Sequence, residues 1–248
     1  MKGLREILEQ GGREMGIEVD EGRVRQFQRY LELLLDWNQR VNLTAITDPA
    51  EVGIKHFLDS LSCLTVLKPT PRMRLIDVGT GAGFPGLPLK IVSPGVKLTL
   101  LDSLQKRLAF LEVVVRELGL DGVELVHLRA EEAGQKKEFR EGFDAAVARA
   151  VARLDVLAEL CLPLVKVGGA FLAMKGSGAA EEAETAREAI MELGGEAGEI
   201  RSSVLPFLGD RRGIVVIRKV RGTPPRFPRK PGTPGRKPLG GNRPPSGE

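Results

Sequence analysis

The feature that most constrains the fold is the stretch from Leu75 to Leu89, which reads LIDVGTGAGFPGLPL. It opens with a short apolar run of the kind that forms a buried strand, and the acid at Asp77 closes that run. Three glycines then occupy every second position: Gly79, Gly81 and Gly83. Glycine tolerates positive φ and leaves bare backbone for a ligand to approach. Pro85 follows where a helix can begin, so the stretch predicts a strand, a tight ligand-binding turn and a helix.

Two kinds of ligand fit such a turn, which lies where doubly wound sheets bind nucleotides. Gly81-x-Gly83-x-x-Gly86 formally matches the dinucleotide fingerprint. However, a carboxylate at Asp77 would repel a pyrophosphate, whereas it suits a ligand that carries an ammonium group and a sulfonium. The pattern Asp-x-Gly-x-Gly-x-Gly after a strand resembles the nucleotide-binding turn of the class I methyltransferases. We therefore favour S-adenosylmethionine as the cofactor and expect Asp77, Gly79 and Gly81 to bind it.

The rest of the chain from residue 69 onward alternates apolar strands with amphipathic helices, which is typical of a parallel sheet. Strands are predicted at about 74–78, 96–101, 123–128, 143–148, 169–175, 200–205 and 213–220. The connection between the last two is too short for a helical crossover, so this pair must be antiparallel. The predicted fold class is α/β: a Rossmann-like, mostly parallel seven-stranded sheet with a terminal antiparallel hairpin, as in the class I methyltransferases.

The chain divides into three predicted regions. Residues 1–68 show helical spacing, as at Val24, Phe27 and Leu31, and predict an N-terminal helical cap. Residues 69–221 form the sheet domain, and residues 222–248 form a basic tail rich in Pro and Gly. The tail cannot form a core of its own, which predicts a disordered extension, a cationic strap on nucleic acid, or both. We expect its removal to weaken RNA binding and to leave cofactor affinity unchanged.

Composition excludes several classes of protein. The net charge is +4, and the basic excess belongs to the tail. The 2 cysteines, Cys63 and Cys161, lie far apart without a CxxC partner, which predicts neither a disulfide framework nor a metal site. No apolar run approaches the length of a membrane span, and the N-terminus lacks a signal-peptide core. We expect a cytoplasmic protein without membrane attachment, and a monomer.

Polar residues at the ends of three predicted strands are candidates for the ligand site. Asp102 ends the second strand, where an acid can accept hydrogen bonds from both ribose hydroxyls of an adenosine-type ligand. After the third strand, the backbone of Ala130 and the carboxylate of Glu131 could meet an adenine edge, or could simply begin a helix. Arg149 ends the fourth strand and could pair with the carboxylate of the cofactor's methionine or with a substrate phosphate.

His56 and Asp59 are spaced to lie on one face of a helix of the cap. The pair could be catalytic, or it could make a structural hydrogen bond.

Other chemistries lack their motifs. The fourth strand does not end in Asn-Pro-Pro-Tyr or Asp-Pro-Pro-Tyr, so methylation of an adenine or cytosine amino group is not indicated. Neither cysteine follows a proline in the setting that attack on a pyrimidine carbon needs. The chain has no Walker loop, no Gly-x-Ser-x-Gly and no His-Glu-x-x-His.

The motifs together resemble one family, the small-subunit ribosomal RNA methyltransferase G family, also called RsmG or GidB. The resemblance is carried by Asn38 with residues 42–45, residues 56–61, residues 77–86 including Phe84-Pro85-Gly86, Leu101-Asp102-Ser103 with Lys106-Arg107, Arg149-Ala150, Lys175-Gly176 and the Pro-Arg-Lys-Pro-Gly run of the tail. It implies methyl transfer from S-adenosylmethionine to the N7 of a guanine in 16S rRNA, with that RNA or the small ribosomal subunit as partner. It also implies cofactor contacts at Gly79, Phe84, Ala130, Glu131 and Arg149.

This reaction needs no general base, because a purine N7 has a lone pair and carries no proton. We hypothesise that the cap frames the base with Asn42, His56 and Asp59, and that Arg149, His56 and Asp59 have positioning roles. Three alternatives stay open from the residues alone: an NAD-dependent oxidoreductase, a small-molecule methyltransferase, and an RNA-binding protein with a vestigial cofactor pocket.

Overall fold

A computed structural model describes residues 2–240 and contains a seven-stranded sheet in the order β3-β2-β1-β4-β5-β7-β6. The strands are β1 Arg74–Val78, β2 Lys97–Asp102, β3 Val123–His127, β4 Phe143–Arg149, β5 Val165–Lys175, β6 Gly195–Val204 and β7 Arg211–Lys219. Strands β1 to β5 pair in parallel, whereas β7 pairs antiparallel with both β5 and β6. The predicted fold class is therefore confirmed, including the terminal antiparallel hairpin.

The strand order determines where along the edge of the sheet a ligand can bind. From β1 the chain moves outward to β2 and β3, then returns to β4 on the other side of β1, where Asp77 pairs with Val147. Such a reversal opens a crevice at the carboxyl ends of the two central strands, because their connections leave in opposite directions. The glycine turn follows β1 and Arg149 ends β4, so both lie at this crevice.

The helices are α1 Leu4–Glu14, α2 Glu21–Asn38, α3 Pro49–Val52, α4 Asp59–Leu61, α5 Gly86–Val92, α6 Gln105–Glu117, α7 Ala130–Ala133, α8 Leu154–Cys161, α9 Ala179–Thr185, α10 Arg187–Glu192 and α11 Thr233–Arg236. A π-helical segment, Gly53–Leu58, joins α3 to α4. The sequence predicts one continuous helix over about 179–193, but the structure breaks it after Thr185. The Thr185 hydroxyl donates to the Glu181 carbonyl at 2.9 Å, a contact that bends helices.

The helical cap, α1 to α4, shares one hydrophobic core with a face of the sheet. Phe27 and Phe57 of the cap lie with ring centroids 4.9 Å apart, and Tyr30 stacks on Phe84 of the glycine turn at 5.5 Å. The fully buried Tyr30 also donates its hydroxyl to the Ala82 carbonyl. The cap is thereby fixed directly against the predicted ligand-binding turn.

The C-terminal tail is the clearest departure from the sequence-based expectation. Thr223, Phe227, Pro228 and Pro234 are buried against the sheet domain, so for residues 222–240 the interpretation as a disordered extension is wrong. The tail needs no core of its own, because its apolar side chains join the core that contains α8. Residues 241–248 lie outside the described residues.

Membrane-spanning helices and metal-binding clusters are two features that the sequence does not predict. Across residues 2–240, no helix is long and apolar enough to cross a membrane. The same residues contain no cluster of three or more His, Cys, Asp or Glu side chains that could hold a metal ion.

Candidate functional site

A cavity of about 540 Å³ follows the carboxyl edge of the sheet from β3 to β4, and this volume suits a nucleoside-sized ligand. The wall contains most of the residues that the sequence singles out: His56, Gly79, Gly81, Phe84, Asp102, Ala130, Glu131 and Arg149. Asp59 and Asp77 do not line it. We call this space the first cavity.

Asp77 lies beneath the glycine turn and is fully buried. Its Oδ2 accepts hydrogen bonds from the Thr80 hydroxyl at 2.7 Å and from the Gly86 amide at 2.8 Å. Burial raises the pKa of Asp77 to about 6, and these two hydrogen bonds limit the rise. Asp77 stays a predicted cofactor contact, but this placement gives its carboxylate a direct role in shaping the turn.

Asp102 lies at the end of β2, in the wall of the first cavity. It is 3% exposed, and its carboxylate accepts from the amides of Gly81 and Leu104, each at 2.9 Å. A carboxylate has about four acceptor positions, and the two amides and Arg107 occupy three of them, so one remains for a ribose hydroxyl. Arg107 also contacts Asp102, at 3.3 Å, and its buried Nε has no partner within residues 2–240. Sequence reasoning assigned no role to Arg107, although it belongs to the Lys106-Arg107 motif.

The β3 side of the first cavity is formed by Ala130 and Glu131. The Arg129 amide donates to the Glu132 carboxylate at 3.0 Å, so Glu132 and not Glu131 caps the start of α7. Glu131 instead lines the cavity, and its Oε1 accepts the amide of Gly232 at 2.8 Å. Glu131 also lies in the first turn of α7, as the structural alternative predicts, and its role toward a cofactor stays a prediction.

Arg149 joins β4 to the cap. Its Nη1 donates to Asp59 Oδ2 at 2.8 Å and to the Lys55 carbonyl at 3.1 Å, and its guanidinium lies 5.0 Å from the centre of the Phe84 ring. Its Nη2 lies 3.3 Å from His56 Nδ1. Within residues 2–240, Nε and the other Nη2 hydrogen have no partner, which leaves donors for a carboxylate or a phosphate.

His56 stacks on Phe84 with ring centroids 4.7 Å apart. Its Nε2 lies 2.7 Å from the Thr44 hydroxyl oxygen, and its Nδ1 lies 3.2 Å from the Lys55 carbonyl oxygen and 3.3 Å from Arg149 Nη2. The Thr44 hydroxyl oxygen also accepts the Ile46 amide at 3.0 Å. Burial, reinforced by the charge of Arg149, lowers the pKa of His56 to about 4. His56 is therefore neutral near pH 7 and presents an aromatic face.

Asn38 holds the loop that orients His56, a role that sequence reasoning missed. Its Oδ1 accepts the amides of Leu43 and Thr44, and its Nδ2 donates to the Thr44 carbonyl, all at 2.9 Å. The only sequence signal was its place in the family motif.

A second cavity of about 500 Å³ adjoins the first, and His56, Arg149 and Ala150 line both. Asp59 lines the second cavity, where its Oδ1 also accepts from Arg212 Nε at 3.1 Å. Arg212 lies in β7, far along the chain, and was not predicted. The structure thus brings His56, Asp59 and Arg149 together, whereas the exposed Asn42 lines neither cavity.

Comparison with known proteins agrees with this geometry. The family model described as rRNA small subunit methyltransferase G, GidB, matches residues 23–210. The chain belongs to this family. Ribosomal RNA small subunit methyltransferase G of Alkaliphilus metalliredigens is 52% identical over 94% of this chain and 98% of its own length. The protein of the same name from Geobacillus sp. is 53% identical over 91% of this chain and 95% of its own length. The resemblance seen in the sequence is confirmed.

Solved structures related to this member of the G family show the same fold. TrmN from Thermus thermophilus superposes with a TM-score of 0.52 at 19% identity, covering 66% of this chain and 48% of its own. TYW2 from P. horikoshii, solved in complex with MeSAdo, superposes with a TM-score of 0.51 at 14% identity, covering 66% of this chain and 62% of its own. At these identities the likeness concerns the fold alone.

Proposed function

We propose that this chain transfers the methyl group of S-adenosylmethionine to the N7 of a guanine in 16S rRNA. One observation carries the proposal beyond family membership. A nucleoside-sized cavity adjoins a second cavity, and the shared wall is formed by Arg149 and His56. A methyl donor in the first cavity and a base in the second would meet at that wall.

The first cavity fits an S-adenosyl ligand residue by residue. Asp102 has acceptor capacity for the ribose, Ala130 and Glu131 lie beyond it on the β3 side for the base, and Arg149 has donors for the amino-acid carboxylate. Gly79 and Gly81 bring backbone to the cavity wall. The sulfonium of the bound cofactor would supply the methyl group.

The polar groups at the wall between the two cavities would position the target base and stabilise its charge. None of them is arranged to remove a proton. The lone pair of N7 needs no deprotonation, and His56 is neutral near pH 7. The His56 ring offers a stacking surface for a purine. The Asp59 carboxylate lies in the second cavity, where it would stabilise the positive charge of the methylated ring. Holding N7 in line with the methyl carbon then accounts for catalysis.

The surroundings of the second cavity suit an RNA partner. Its lining holds more cations than acids: Lys55, Arg149, Lys175 and Arg212 against Asp59 and Glu182. Cationic side chains bind phosphates independently of sequence. We propose 16S rRNA or the small ribosomal subunit as the partner.

Isothermal titration separates the proposal from the NAD-dependent alternative. We expect the purified chain to bind S-adenosylhomocysteine and not NADH, because the carboxylate of Asp77 disfavours a pyrophosphate at the turn. Binding of NADH in preference to S-adenosylhomocysteine would overturn the cofactor assignment. Binding of S-adenosylhomocysteine without methyl transfer to RNA would favour a vestigial pocket.

A further inference from the structure

The C-terminal strap, which we define as residues 222–240, is anchored to the sheet domain by buried charges. Arg229 donates to the Glu159 carboxylate through its backbone amide and its Nε, each at 2.8 Å, and Glu159 is fully buried. The Arg140 guanidinium donates to the carbonyls of Thr223 and Phe227, each at 2.7 Å. These contacts fix the strap along α7 and α8.

One contact links the strap to the first cavity. The amide of Gly232 donates to Glu131 Oε1 at 2.8 Å, and Glu131 lines the cavity while being only 9% exposed. Glu131 Oε2 has no hydrogen-bond partner in the part of the chain that the structure describes. The strap therefore holds one oxygen of a cavity carboxylate and leaves the other free to accept.

The position of Glu131 identifies the part of the ligand concerned. Along the sheet edge, Arg149 ends β4, the glycine turn follows β1, Asp102 ends β2, and Glu131 follows β3. With the ribose at Asp102 and the methyl group at the wall shared with the second cavity, the base falls on the β3 side. A carboxylate accepts only, so it pairs with the exocyclic amino group of an adenine.

We infer that the strap is part of the cofactor site and that the Gly232 amide positions Glu131 for the adenine base. The inference rests on the proposed function, since it assigns a role within the proposed S-adenosyl site. It replaces the sequence-based expectation that removal of the tail leaves cofactor affinity unchanged. A strap that only stabilised the domain would have no link to ligand affinity.

A pair of proline substitutions in the strap tests the contact. Gly232 has a φ of 78°, which proline cannot adopt, so G232P removes the N–H donor and also turns the backbone away from Glu131. G240P is the matched control, because Gly240 of the same strap also has a left-handed φ of 68° and does not contact Glu131. The probes are S-adenosylhomocysteine and methylthioadenosine, which shares the base and ribose but lacks the amino-acid end. We expect G232P to weaken the binding of both by the same factor, roughly tenfold as for one hydrogen bond to a charged group, and G240P to weaken it far less.

A second measurement needs no variant. Coupling between two sites is reciprocal, so saturating S-adenosylhomocysteine should slow hydrogen exchange of the Gly232 amide in the wild-type chain at least fivefold. Unchanged affinities in a folded G232P variant, or unchanged exchange at Gly232, would overturn the inference. Failure of the wild-type chain to bind S-adenosylhomocysteine would instead contradict the proposed function.

Discussion

Asp59 and Arg149 form an ion pair at 2.8 Å, with side chains only 7% and 14% exposed. The pair joins the cap to the end of β4 at the wall between the two cavities. The other Asp59 oxygen accepts from Arg212 of β7, so one carboxylate fixes two arginines from distant parts of the chain. We infer that Asp59 acts by holding Arg149 in place.

Replacing Asp59 by Asn should therefore impair methyl transfer. D59N removes the charge that orients Arg149, and loss of a charged hydrogen bond of this kind corresponds to a fall of roughly 10- to 100-fold in kcat/KM. The measurement is steady-state transfer of labelled methyl to RNA. D210N is the matched control, because Asp210 contacts Arg212 at 3.3 Å from an exposed position and leaves Arg149 untouched. Equal activities for D59N and D210N would contradict this role.

The lowered pKa of His56 predicts a specific dependence of stability on pH. The pKa is about 4 in the folded chain against 6.5 in the reference state, so between these pH values the unfolded chain binds a proton that the folded chain does not. Through this group alone, the free energy of unfolding therefore falls by up to about 3 kcal/mol as pH falls from 6.5 to 4. Asp77, with its pKa raised to about 6, acts in the opposite direction over pH 6 to 3.8.

Comparing the wild type with H56Q isolates the contribution of His56 to the pH dependence of stability, because both proteins contain Asp77. Urea unfolding at pH 7 and at pH 4.5 should show a larger acid-side loss for the wild type than for H56Q. The exposed His127 provides a matched histidine control, and H127Q should retain the wild-type loss. Equal losses of unfolding free energy for the wild type and H56Q would contradict the assignment of a half-buried, neutral imidazole at His56.

The sequence predicted the parts of the site that depend on local pattern. The strand before Asp77, the glycine turn, the acid that ends β2 and the arginine that ends β4 each follow from a short motif and a strand end. Because parallel strands share one carboxyl edge, these residues had to converge. Family resemblance then added Phe84, Ala130 and Glu131, which local pattern left undecided.

The sequence did not predict contacts between residues far apart in the chain. Arg212 reaches Asp59 across 153 positions and Gly232 reaches Glu131 across 101, and no periodicity encodes such pairs. The strap was misjudged for the same reason. Its Pro-rich, basic composition indicates disorder when considered alone, but the buried Glu159 that anchors Arg229 lies 70 residues earlier.

Two glycines of the turn should respond differently to alanine. A Cβ on Gly83 would lie 2.5 Å from the Tyr30 hydroxyl and 2.6 Å from Leu87 Cδ1, at a φ of 96°. G83A should therefore lower the free energy of unfolding by about 3 kcal/mol, through crowding and backbone strain. A Cβ on Gly81 meets nothing closer than 4.0 Å, so G81A should cost about 1 kcal/mol.

The same pair separates stability from binding. Gly81 lines the first cavity, so we expect G81A to stay folded at 25 °C while its affinity for S-adenosylhomocysteine falls at least tenfold. Calorimetry and urea unfolding on the two variants provide both quantities. A G83A variant as stable as the wild type would show that Tyr30 does not pack against the turn as described.

The most direct test of the whole account is the position of the transferred methyl group. The wild-type chain is incubated with labelled S-adenosylmethionine and small ribosomal subunits from cells that lack the family enzyme, and the modified nucleotide is mapped. The account predicts a single methyl group on the N7 of a guanine in 16S rRNA. A methyl group on a pyrimidine, a ribose hydroxyl or an exocyclic amine, or no transfer by a chain that binds the cofactor, would contradict it.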